Sequence, residues 1–130
     1  MRSVMTITSA LLLLCALLVI PAGAQMAPPS KAVKTIAGIL MTINHFPNDD
    51  QKKTLTALAA ESTTTAQEKV LIQAINGMQH SINAADKPKV EEIVKDPKAP
   101  EGVKTIATIL DKFLHTAAAP DKEALKKLAE

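Results

Sequence analysis

The histidines of this chain fall at positions 45, 80 and 115, so two equal steps of 35 residues separate them. The periodicity extends well beyond histidine. VKTIAGIL at 33–40 recurs two periods later as VKTIATIL at 103–110, with one difference in eight. Two residues before each histidine stand Ile43, Met78 and Phe113. Ten residues after it stand Leu55, Val90 and Leu125, and thirteen after it Leu58, Ile93 and Leu128. A fixed period of this length is the signature of a repeated supersecondary unit that cannot bury its apolar face alone.

Each unit reads as two helices. Ahead of the histidine, Val33, Ile36, Ala37, Leu40 and Ile43 in the first copy, and Val103, Ile106, Ala107, Leu110 and Phe113 in the third, form one stripe at the 3.6-residue helical period. Thr65 and Glu68 make a capping box at the entry to the middle copy, and Pro100 suits the first turn of the third. Polar links FPNDDQ, SINAAD and TAAAPD follow the histidines. A shorter second helix comes next, with Asp86 and Asp121 as expected N-caps and Asp49 or Asp50 in the first copy. Pro88, two residues past Asp86, is tolerated there and not deeper in a helix. The sequence thus predicts an all-α protein of three αα-hairpin repeats, at about 31–65, 66–100 and 101–130, either stacked or closed into a six-helix bundle. Its size resembles that of tetratricopeptide repeats, but the Trp-Leu-Gly-Tyr pattern of that family is absent.

The N-terminus predicts export. A basic start at Arg2, the apolar run SALLLLCALLVI and the small-residue stretch PAGAQ read as a signal peptide over 1–24, cleaved between Ala24 and Gln25. That run is shorter than the roughly 20 residues a membrane span needs, so no stable anchor is expected after cleavage. The expected location is the periplasm, or alternatively the extracellular space. Residues 25–30 read as a flexible leader. The only cysteine, Cys15, lies inside the apolar run, so the mature chain has no thiol for disulfides, thiolate metal sites or catalysis.

Residues 25–130 carry 14 lysines and 13 acids, with Phe46 and Phe113 as the only aromatics. Nucleic-acid binding calls for a basic face and, on single strands, stacking rings; this composition supplies neither.

The histidines admit three readings. Three imidazoles make a zinc-binding set, which nominates His45, His80 and His115 as metal ligands. In an open stack, however, equivalent positions lie about 8–10 Å apart, whereas a zinc ion needs every nitrogen about 2 Å away. The stack therefore predicts a ladder without metal, and only a closed bundle with converging helix ends restores the site. A catalytic His–Asp pair lacks a nucleophile at a matching place, because Phe46 stands where Ser81 and Thr116 stand in the other copies. The third reading makes each histidine a structural joint. It closes the last turn of its helix and passes its other N–H to Asp50, Asp86 or Asp121 at the start of the next. The sequence favours the joint, with no cofactor and no enzymatic activity. The expected function is an interaction or scaffold module for a protein partner. The alternative is a carrier or chaperone-like binder of an apolar small ligand, and a metal-binding protein comes third.

Overall fold

The computed structural model describes residues 27–130, and the expected signal peptide with its Ala24–Gln25 cleavage site lies outside them. The described chain is all-helical, with α1 at Lys31–Thr42, α2 at Asp49–Ala60, α3 at Ala66–Gly77, α4 at Lys87–Lys95, α5 at Glu101–Asp111 and α6 at Ala119–Ala129. None of these helices is long and apolar enough to cross a membrane.

The apolar stripes dictate the layering. In α1, Val33, Ile36, Ala37 and Leu40 are buried. In α3, Leu71, Ile72, Ala74 and Ile75 are, and in α5 Val103, Ile106, Ala107, Ile109 and Leu110. These three helices touch one another at the centre. The second helices bury a narrower stripe: Leu55 and Leu58 in α2, Val90 and Ile93 in α4, Leu125 and Leu128 in α6. Each second helix packs most extensively on the first helix of another copy, as α4 on α5 and α6 back on α1, with α2 on α3 a looser seam. The last helix thus returns to the first, and the bundle is closed. Lys34 Nζ donates to the Glu130 carbonyl at 2.8 Å across the junction. Closure leaves no open end for a stripe of small helices to expose.

Caps set the helix starts. Thr65 and Glu68 form the expected capping box. In the first copy the cap is Asn48, one residue ahead of Asp49 and two ahead of Asp50, the expected caps. Its Oδ1 accepts from Gln51 N at 2.8 Å, and Gln51 Oε1 accepts from Asn48 N at 2.9 Å. Asp86 does hold the N-cap position of α4, but its backbone is helical and its carboxylate makes no cap bond. Asp121 is not a cap. Pro120 can enter the first turn, so α6 begins at Ala119 and places Asp121 inside that turn. The leader also ends in a fixed residue: Ser30 Oγ accepts from Val33 N at 3.0 Å and donates to the Glu68 carboxylate.

Candidate metal centre

After each of α1, α3 and α5 the chain makes the same tight corner. Ile43, Met78 and Phe113 drop into the core two residues before the histidine, and Pro47, Ile82 and Ala117 do so two residues after it. With both flanks pinned inward in so few residues, the intervening backbone has to reverse sharply. It does so at the histidine. His45, His80 and His115 have φ of 73°, 79° and 64°, the only positive values at non-glycine residues in the described chain. Around His80 and His115 the turn is closed over three residues, Ser81 N donating to Gln79 O at 3.0 Å and Thr116 N to Leu114 O at 2.7 Å. A three-residue turn about a positive φ is rare and strained, and such backbone costs about 1–3 kcal/mol per residue unless the surroundings hold it.

The surroundings here are the other two corners. His45 N donates to His115 O at 2.6 Å, His80 N to His45 O at 2.7 Å, and His115 N to His80 O at 2.7 Å. The three main chains form a cyclic ring of hydrogen bonds in which every histidine gives one and takes one. That ring joins the three copies on a common axis.

The imidazoles project from this ring and converge. Their centroids are 4.8 to 5.3 Å apart, with edge-on interplanar angles of 68° to 80°. One ring nitrogen from each histidine lies within 4.8 Å of the other two. His80 Nδ1 and His115 Nδ1 are 3.2 Å apart. Tetrahedral zinc with Zn–N bonds of about 2.0–2.1 Å places its nitrogen ligands about 3.3 Å from one another, so this pair already stands at ligand spacing. His45 is half-buried while His80 and His115 are exposed, which leaves the outer side of the cluster open to solvent.

This overturns the ladder expected from an open stack. Closing the bundle on an axis turns the 35-residue repeat from a translation into a rotation, and equivalent side chains then meet instead of running parallel. The joint also takes another form. The tie is made by the histidine backbone and links three corners, whereas the expected carboxylate partners are engaged elsewhere. Asp86 Oδ1 accepts from Gln73 Nε2 at 3.2 Å and Lys89 Nζ at 3.5 Å, and Asp121 pairs with Lys112 at 2.9 Å. Asp50 is exposed and 3.9 Å from Lys53. The positive φ values had no sequence signal beyond the residue type, since histidine visits this region more readily than most.

The rim is set by the neighbours of the histidines: Asn44, Phe46, Gln79, Ser81, Leu114 and Thr116, none of them a carboxylate. Phe46 and Leu114 are the exposed large hydrophobics of the described chain, 56% and 62% accessible. Comparison with protein-family models, with curated proteins and with solved structures returns no match.

Proposed function

We propose that the protein binds one divalent ion of the zinc or copper type through His45, His80 and His115, within an exported helical bundle. The observation that carries this reading is the convergence of three ring nitrogens within 4.8 Å on an axis built by their own backbones. Imidazole is a borderline ligand suited to zinc, copper and nickel, and selectivity among them follows ion availability and geometry. Three protein ligands leave a fourth position for water or an exogenous group, unlike the closed four-ligand shell of structural zinc. The backbone supports the reading independently. Glycine meets a positive φ without strain, yet the chain spends three histidines on these corners.

The protein acts in this reading as a metal binder. Export fits the signal-peptide pattern of residues 1–24, and a thiol-free site suits an oxidising compartment. The interaction-module reading, placed first by the sequence, retains one favouring observation: Phe46 and Leu114 sit on the same rim as the histidines. A partner that docks there would meet the metal.

Calorimetric titration of the metal-free chain with zinc and with copper tests the proposal. One ion per chain, with binding lost in His80→Ala and in His115→Ala, is expected. Stoichiometry well below one, or binding unchanged in both variants, contradicts it.

A further inference from the structure

The three interhelical seams of the bundle are built from positions one or two periods apart, and one is incomplete. In the α4–α5 seam, Lys87 Nζ lies 3.8 Å from the carboxylate of Asp111. One period earlier the same two positions are Lys52 on α2 and Asn76 on α3. The carboxylate has become an amide, and both partners are left wanting. Lys52 is half-buried and has no carboxylate partner among the described residues. Asn76 Oδ1 is buried and accepts no hydrogen bond, as is also true of Asp111 Oδ1. The contact of Asp111 with Lys87 is an ion pair at 3.8 Å and not a hydrogen bond, so the missing ion pair is what sets this seam apart. A buried acceptor without a donor is destabilising. In the third seam the position of Asn76 is Met41, an apolar residue packed against the core.

The α2–α3 seam is also the least extensively packed of the three, and two adjoining hollows open to solvent lie along it. One, of about 620 Å³, is lined by Thr56, Lys69, Gln73, Asn76, Gly77 and Asp86 among others. The second, of about 300 Å³, is lined by Phe46, Lys52, Asn76, Gly77, Gln79 and His80. Asn76 and Gly77 belong to both, so the cleft runs between the two lysines and reaches the candidate metal ligand His80. Gly77 lets the Asn83 side chain close over the backbone in the middle: a Cβ there would meet Asn83 Nδ2 at 2.7 Å.

We propose that this cleft binds a small hydroxycarboxylate, whose carboxylate takes the place beside Lys52 that Asp111 takes beside Lys87 and whose hydroxyl donates to Asn76 Oδ1 as that amide, buried in the free chain, turns toward the cleft. Lys69 at the far end adds a second cation, and Asp86 is already engaged by Gln73 and Lys89. A neutral hydroxyl suits Asn76 better than an ammonium does, because the cleft has lysines on both sides. The coupling to metal rests on the tris-histidine reading above; the cleft itself does not.

Malate serves as the probe, followed by amide chemical shifts of the metal-free chain. The expected result is a saturable perturbation centred on Lys52, Gln73, Asn76, Gly77 and His80, weakened by roughly tenfold for succinate, which lacks the hydroxyl. Lys52→Gln is expected to weaken malate by a similar factor, and Asn76→Asp, which restores the internal pair, to abolish binding while the chain stays folded. Equal affinity for malate and succinate, shifts scattered over all lysine-bearing helices, or an unaffected Asn76→Asp variant would each overturn the proposal. Repeating the titration with zinc separates the two readings. A chain that binds malate but no zinc keeps the cleft and loses the metal centre; a chain that binds zinc but no malate does the reverse.

Discussion

His80 and His115 face each other with their Nδ1 atoms 3.2 Å apart, although 35 residues separate them in the chain. The backbone hydrogen bond from His115 N to His80 O, at 2.7 Å, holds the two corners together. Side chains and main chain therefore serve different ends at the same residues, and substitutions can separate them.

Replacing His80 by glycine removes the imidazole and relieves the left-handed backbone, whereas alanine removes the imidazole and keeps the strain. A non-glycine residue in this conformation costs about 1–2 kcal/mol, so His80→Gly is expected to be more stable than His80→Ala by about 1 kcal/mol. Neither should bind metal. Urea unfolding with a parallel zinc titration reads both effects.

Closure makes the C-terminal helix as important as a central one. Leu125 of α6 is fully buried, as is Leu71 of α3. Leu125→Ala and Leu71→Ala are each expected to cost about 2–5 kcal/mol, and Leu125→Ala also to weaken metal binding by loosening α6 from α1. An open stack predicts a milder effect at its terminal helix. Thermal unfolding of the two variants side by side decides between them.

Glu68 is a buried carboxylate, 2% accessible, that accepts from Thr65 N at 2.7 Å and from Ser30 Oγ. It thereby ties the caps of α3 and α1 together. Glu68→Ala removes both bonds, but Ser30 and Thr65 are exposed and can turn to water, so the loss should be about 1–2 kcal/mol, while Glu68→Gln, which keeps one acceptor, should recover about half of that. Denaturant midpoints at constant m-value test this.

The six helices were legible in the sequence because their stripes are regular. Leu40, Ile75 and Leu110, or Leu55, Val90 and Leu125, announce buried positions by spacing alone, and all six are buried. The Thr65–Glu68 box was legible for the same reason, as a local pattern. The histidine cluster was legible only as a list of residues. Whether His45, His80 and His115 form a ladder or a cluster depends on whether the 35-residue step is a translation or a rotation, and helical periodicity is silent about that. The deciding contacts, α6 on α1 and the cyclic bonds among the three histidines, join residues up to 96 positions apart, as Lys34 and Glu130 show. The caps erred for a simpler reason. Asn48 and Ala118 precede acidic residues that look like better caps, but Pro47 and Pro120 shift where each helix can begin.

X-ray absorption at the metal edge of the zinc-loaded chain tests the central claim most directly. The account predicts one ion per chain, bound by three imidazole nitrogens at about 2.0–2.1 Å with one further light-atom ligand. A shell with one imidazole, or one dominated by carboxylate oxygens, would contradict it.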